Sequence, residues 1–161
     1  MATPKDILQD IRDVVANVGG ISRVNSSRKN DAPASGQYSA SVLYPGEEIT
    51  LWVINNGSAR NDHVMPVTIE VRTSQNSDDD LIDKIYSILD AVLSPSNKPT
   101  DCIWIKPDSV DEPEGEGYLT AVINLNVRFR RTPSFIENIR IDADGNVRVT
   151  STGDTRVALT V

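Results

Sequence analysis

Residues 118–130 read YLTAVINLNVRFR, and this stretch decides the fold. Every second residue along it is apolar without a break, and most of the residues between are polar, which is the pattern of a β-strand with one buried face and one solvent-exposed face. The stretch is long beside the usual strand of about 5–6 residues. We therefore expect this strand to extend beyond its own domain or to be shared with a neighbouring subunit. Its apolar face consists of Leu119, Ala121, Ile123, Leu125, Val127 and Phe129.

Two segments have the 3.6-residue period of amphipathic helices. The first begins after the N-cap Thr3 and ends before Gly19-Gly20. The second begins after the N-cap Ser77, carries aspartates at positions 78–80 where the helix dipole is positive, and ends at Ser94-Pro95. The predicted buried stripes are Ile7, Leu8, Ile11, Val14, Val15 and Val18 in the first helix, and Leu81, Ile82, Ile85, Ile88, Leu89 and Val92 in the second.

Shorter runs of β-branched and aromatic residues predict further strands. They cover residues 21–24, 38–44, 48–55, 64–73 and 102–105 before the long strand, and 139–142, 146–150 and 156–161 after it. Asn56-Gly57 and Ala143-Asp144-Gly145 are hairpin turn signals. Two polar stretches, 25–37 and 106–117, are predicted to be loops, and the first is expected to be mobile because it has no apolar residue larger than alanine.

This order of elements predicts an α+β fold. It consists of a mostly antiparallel sheet with two amphipathic helices packed on one face, plus a C-terminal β-hairpin extension. We predict a core domain over residues 1–133 and an extension over residues 134–161. The extension has too little apolar mass to be stable alone, so we expect it to dock on its own sheet or on a neighbouring subunit.

Composition excludes several classes of protein. The 161 residues indicate one domain, and a net charge of -7 opposes general affinity for nucleic acid. Cys102 is the sole cysteine, which excludes an internal disulfide and a multi-cysteine zinc site, and it is predicted to be buried. Residues 1–6 have no apolar core of a signal peptide, and no stretch approaches the roughly 20 apolar residues of a membrane span. We therefore expect synthesis and folding in a reducing cytoplasm.

Signals for catalysis are weak. His63 is the sole histidine, lies in a polar link without a partner nucleophile, and is predicted to be a surface residue. Residues 142–146 resemble the start of a calcium loop, but glycine stands fourth rather than sixth and the twelfth position is Gly153. No phosphate-binding loop or histidine–glutamate metal motif is present. The chain is predicted not to be an enzyme and to have no cofactor or metal.

Arg128, Arg130 and Arg131 form a small basic patch at the end of the long strand. The patch could meet an acidic patch of a neighbouring subunit or a phosphate group; the alternative is an ion-paired or exposed face without a partner. Together with the polar face of the same strand, it makes a candidate interface for oligomerisation or for a partner protein. The candidate residues are Tyr118, Thr120, Asn124, Asn126, Arg128, Arg130 and Arg131.

The order of these elements resembles that of bacteriophage tail-terminator (tail-completion) and minor-tail proteins. The resemblance covers residues 3–131 and rests on a series of landmarks. These are an amphipathic helix (7–18), a strand pair with a long loop (21–55), a central strand (66–73), an acid-capped helix (78–93) and a long closing strand (118–130). It implies a homohexameric ring that caps the tail tube, stops its polymerisation and provides the head-joining surface, without chemistry.

The resemblance also implies partners and a location. The partners are the tail tube protein and the head–tail connector protein, and DNA passes through the ring without sequence-specific recognition. The location is the head-proximal end of the tail in the virion, after assembly in the host cytoplasm. Two alternatives stay open: another head–tail connector or tail-tube component of similar fold, and a small-molecule-binding regulatory α+β domain with a concave pocket.

Overall fold

The structure is a computed structural model of the chain. It describes residues 3–28, 33–46, 49–55, 58–74, 76–115, 118–131, 138–141, 147–150 and 156–159. Within these ranges only the backbone is described for residues 49–61, for residue 112 and from residue 131 onward.

Both predicted helices form, and each begins with a capping box. Helix α1 spans Pro4–Ala16, and the Thr3 hydroxyl accepts a hydrogen bond from the Asp6 amide while the Asp6 carboxylate accepts one from the Thr3 amide. Helix α2 spans Asp78–Leu93, and Ser77 and Asp80 make the same reciprocal pair. These bonds satisfy N–H groups that a helix start otherwise leaves without partners.

The strands before α2 are β1 (Ile21–Asn25), β2 (Tyr38–Leu43), β3 (Ile49–Asn55) and β4 (Ser58–Thr73). After α2 and a short 3-10 helix (Pro95–Asn97) come β5 (Cys102–Glu114) and β6 (Leu119–Arg131). They form a six-stranded sheet in the order β1-β2-β4-β6-β5, and β3 also pairs with β4. The β1–β2 pair is parallel and the other pairs are antiparallel, which confirms the mostly antiparallel α+β fold.

Two predicted polar connections are in fact strand. The link before residue 64 belongs to β4, which begins at Ser58, and most of the predicted loop 106–117 belongs to β5, which continues to Glu114. The apolar pattern ends early in β5 because its second half lies at the edge of the sheet and exposes Lys106 through Asp111. A strand at the edge of a sheet can be stabilised by backbone hydrogen bonds to its neighbour without an alternating apolar pattern.

Strand β6 lies inside the sheet and is not shared with another chain. Its residues pair with β4 from Asn61↔Arg131 to Thr73↔Leu119 and with β5 along its other edge. Both of its backbone edges are therefore occupied by this chain, so the expectation that a neighbour shares the strand is wrong. A partner can reach β6 only through its side chains.

The core lies between the two helices and one face of the sheet, which we call the helix face. The described buried apolar side chains on α1 are Ile7, Leu8, Ile11 and Val15, and those on α2 are Leu81, Ile85, Ile88 and Val92. The sheet contributes Tyr38, Ala40, Val42, Met65, Val67, Ile69, Val71, Cys102, Ala121, Ile123, Leu125, Val127 and Phe129. Ile82 was predicted to join this core, but it is 37% exposed because it lies off the inward stripe of α2.

A two-stranded arm projects from one end of the sheet. Strands β3 and β4 pair from Ile49↔Val64 to Asn55↔Ser58, whereas β6 reaches β4 only as far as Asn61. The outer part of this hairpin therefore extends beyond the pairing with β6. The predicted turn at residues 56–57 lies outside the described residues, and the register confirms the hairpin around it.

The C-terminal residues form a second small sheet. Strands β7 (Asn138–Ile141), β8 (Val147–Thr150) and β9 (Arg156–Leu159) pair in sequence order and antiparallel. Strand β7 lies beside β4. The predicted hairpin is confirmed by the Ile141↔Val147 pairing, and its turn at residues 142–146 lies outside the described residues.

Candidate interaction face of the sheet

Five candidate interface residues of β6 lie on the side of the sheet opposite the helices, which we call the polar face. Strand alternation places Thr120, Asn124, Asn126, Arg128 and Arg130 there, because Ala121 through Phe129 at the odd positions point into the core. The first four are half-buried and Arg130 is exposed. The sequence therefore predicts correctly which side chains share this face.

An ion-pair cluster occupies the end of the polar face near the arm. The Asp62 carboxylate is buried, with 5% of its side chain exposed. Its Oδ2 accepts hydrogen bonds from Arg128 Nη2 at 2.6 Å and Nε at 3.1 Å, and its Oδ1 lies 3.7 Å from Arg130 Nε. Arg128 balances the buried carboxylate at short distance, whereas the Arg130 contact is long and its side chain is 47% exposed. Arg130 therefore retains most of its capacity to bind another molecule.

The middle of the polar face has side-chain hydrogen bonds that connect three strands. Thr68 Oγ1 donates to Asn124 Oδ1, and Asn124 Nδ2 donates to Ser109 Oγ, both at 3.0 Å. Asn126 Nδ2 lies 3.5 Å from Asp108 Oδ1. These contacts link β4, β6 and β5, so the polar side chains of β6 have a structural role within the sheet. The sequence does not predict the contacts of Ser109 and Asp108, because its pattern indicates a loop at these residues.

A second charged group lies at the other end of the polar face. Glu70 is 4% exposed and pairs with Arg28, which reaches it from the segment after β1, and with Arg72 at 3.5 Å. The Arg72 guanidinium carbon also lies 5.6 Å from the centre of the Tyr118 ring. Tyr118 therefore belongs to this group and is separate from the Arg128–Arg130 end.

Arg131 is the last residue of β6 and pairs with Asn61. Its side chain is outside the described residues.

Neither a protein-family model nor a curated protein matches the sequence. The structure is similar to a chain in the virion of a native gene transfer agent (GTA) particle. The two chains share 14% sequence identity with a TM-score of 0.45, and the likeness covers 79% of this chain and 93% of that chain.

His63 is not the surface residue that the sequence predicts. It lies on the helix face of β4, is 6% exposed, and stacks on Phe129 with 5.4 Å between ring centres. The prediction failed because the polar residues before it are a strand, and the next alternate position in that strand points inward. His63 thus packs in the core next to an aromatic ring.

Cys102 is buried, as predicted. Burial raises the pKa of its thiol to about 11, so the thiolate is scarce at neutral pH. In the described part of the chain, no group of three or more histidine, cysteine, aspartate or glutamate side chains could hold a metal ion. No helix of that part is long and apolar enough to cross a membrane.

The two ends of β6 differ in charge, and each also carries charges of the other sign: Asp62 and Asp101 lie beside the arginines, and Arg72 pairs with Thr120 at the other end. The arginine end carries Arg128 and Arg130, whereas the other end of β6 pairs with Asp111 and Glu114 of β5. From residue 122, which pairs with Asp111, to residue 130 the strand rises about 26 Å at about 3.3 Å per residue. The acidic end is continued by exposed aspartates of α2, namely Asp78, Asp79 and Asp83.

Proposed function

We propose that this chain is a structural subunit of a phage virion, and specifically a tail terminator. It forms a ring that caps the tail tube, stops its polymerisation and provides the surface that joins the head. The ring is homohexameric in the family that the element order resembles. It has no catalytic site or cofactor, and DNA passes through it without sequence-specific contacts.

The separation of charge along β6 is the observation that carries this proposal. A basic end with the exposed Arg130 and an acidic end with Asp111 and Glu114 complement each other when copies meet head to tail. A head-to-tail contact uses two different surfaces of each subunit and closes into a ring when the rotation between copies fits.

The fold supports contacts through side chains and projecting elements. Strand β6 has no free edge, and the other face of the sheet is covered by α1 and α2. The polar face and the β3–β4 arm are left to meet neighbours or partners. In the proposed ring the polar face, with Thr120, Asn124, Asn126 and Arg130, contacts the neighbouring subunit or the partner protein.

Light scattering coupled to size exclusion tests the proposal at micromolar protein. We expect a ring-sized species, or a monomer that converts to one when the tail tube protein of the same phage is added. Arg130→Glu should weaken assembly because it reverses the charge at the basic end. Lys5→Glu is the matched control, since this substitution makes the same change of charge at an exposed position of α1. A chain that stays monomeric with tube protein present contradicts the proposal.

Negative-stain images separate the terminator from its nearest alternative. Single rings that do not stack support a terminator, whereas tubes of the chain alone indicate a tube component. A small-molecule-binding domain is the alternative from another class, and the cleft between α2 and β5 in the described residues has a volume of about 270 Å³. Sites for drug-sized ligands typically measure about 300–1,000 Å³.

A further inference from the structure

An apolar cleft lies between the outer side of α2 and the edge strand β5. It is lined by Ile82, Ile85, Tyr86, Val110, Asp111 and Pro113. Ile82, Tyr86 and Val110 are three of the four exposed large apolar side chains in the described residues, and Tyr86 is 54% exposed. Exposed apolar side chains that gather in one concave place are typical of a docking site.

Acidic side chains surround the cleft. Asp111 is part of its wall, and Glu114 follows on the same strand. On α2, Asp78 and Asp79 lie one turn before Ile82, and Asp83 lies one turn before Tyr86. The lysines of these two elements point elsewhere: Lys84 donates to the Gly19 carbonyl, and Lys106 lies over the Trp104 ring. The cleft therefore favours an apolar side chain that has cations near it in sequence.

The outer edge of β5 is poorly suited to pairing with a β-strand of another chain. The pairing of β5 with β6 is irregular at three places, and Pro107 and Pro113 lack an N–H group. Proline, bulges and negative charge are features by which an edge strand resists pairing with another strand. Side chains inserted into the cleft are consequently a better fit than an added strand.

Residues 128–137 of this chain have the required chemistry. They read RFRRTPSFIE, with Arg130 and Arg131 followed by the apolar pair Phe135-Ile136. The cleft has room for one or two such side chains. Tyr44, the other exposed large apolar side chain of the described residues, has glutamates and no cation near it in sequence, so it fits the cleft poorly.

A chain cannot reach its own cleft with this segment. Val110 pairs with Ile123, so Arg131 lies eight residues along β6 from the cleft, which is about 26 Å. From Arg131 to Phe135 the chain spans at most about 14 Å. The segment must therefore enter the cleft of another copy.

We propose that the cleft between α2 and β5 binds Phe135-Ile136 of a second copy, with Arg130 and Arg131 of that copy against Asp111 and the aspartates of α2. The contact is head to tail, and it rests on the proposed function because it specifies how neighbours in the ring hold each other. It assigns the acidic end to one partner and the basic end to the other.

A synthetic peptide with the sequence of residues 128–137 tests the contact. The peptide carries a fluorescent label, and its anisotropy is followed while full-length chain is added. We expect saturable binding that weakens with added salt. Tyr86→Ser or Ile82→Ser should weaken binding about tenfold or more. Tyr44→Ser is the control and should leave binding unchanged, with circular dichroism showing that each variant is folded.

A peptide with both Phe135→Ser and Ile136→Ser should not bind. If the natural peptide fails to bind, or binds Tyr86→Ser and Ile82→Ser as well as the unchanged chain, the cleft contact is wrong. Light scattering of the full-length chain distinguishes failure of the cleft contact from failure of ring formation. Rings that form while the peptide ignores the cleft overturn only the contact, whereas peptide binding by a chain that never forms rings overturns only the ring.

Discussion

Asp62 shows how a charged residue can sit inside this sheet. Its carboxylate is buried, and Arg128 donates two hydrogen bonds to one of its oxygens. A buried charge is tolerated only when a partner at short distance replaces the lost water. The sequence predicts Arg128 on the polar face but gives no sign of its partner, because Asp62 lies far away in the chain within an apparent link.

We expect Asp62→Ala to destabilise the fold by about 2–3 kcal/mol, because it leaves a partly buried guanidinium without its carboxylate. The loss of stability is limited because solvent reaches the guanidinium: 28% of the Arg128 side chain is exposed. Arg130→Ala serves as the comparison and should cost less than about 1 kcal/mol, as its contact is long and exposed. Urea unfolding followed by circular dichroism measures both. Equal costs for the two variants would show that Asp62 is not the centre of the cluster.

At the scale of the element, both helices could be predicted from the sequence because capping and periodicity are local. Thr3 and Ser77 mark the starts, and the structure has both capping boxes. Strands without an apolar pattern were harder to predict. The second half of β5 is polar, and its strand conformation depends on pairing with β6. The first half of β4 is also polar, and it pairs with β3 and, from Asn61 onward, with β6.

The capping box of α2 makes a prediction about stability and pH. The pKa of Asp80 is lowered from its ordinary value of 3.8 because the Ser77 hydroxyl and then its amide donate hydrogen bonds to the carboxylate. A lowered folded-state pKa gives stability that is complete above the unfolded-state pKa. This stability is lost as the pH falls through the folded-state value. Asp80→Asn should therefore reduce the loss of stability below about pH 4.

Ser77→Ala should destabilise the fold by about 1 kcal/mol at pH 7, because it removes the N-cap acceptor of α2. Ser87→Ala is the control on the same helix. The Ser87 hydroxyl donates only to the Asp83 carbonyl one turn before, and alanine is a better helix former. Thermal or urea unfolding at pH 7 and at pH 3 measures both variants. A cost for Ser87→Ala as large as that for Ser77→Ala would contradict the role of the cap.

At the scale of the whole molecule, the candidate interface was predictable in part. The alternation of β6 places five of its polar residues on one face, and the structure agrees. The acidic cleft could not be predicted, since Tyr86 and Val110 come together only when α2 packs beside an edge strand. Ile82 fits the three- and four-residue spacing of apolar residues, but it lies off the inward stripe of α2 and lines the cleft instead.

The last prediction concerns the C-terminal segment, whose place in the domain plan is a proposal. Every described buried apolar side chain lies between Ile7 and Phe129, so a chain that ends after Thr132 keeps both helices and the six-stranded sheet. We expect it to be soluble and to melt cooperatively, at a somewhat lower temperature because β7 no longer lies beside β4. Light scattering should show weaker assembly, since Phe135 and Ile136 are gone.

A chain that ends after Ile141 is the control, because it retains that pair and should assemble better than the shorter chain. If the shorter chain is unfolded, the segment belongs to the core and the boundary near residue 133 is wrong. If it assembles as well as the full chain, neither the segment nor its cleft contact holds the ring together.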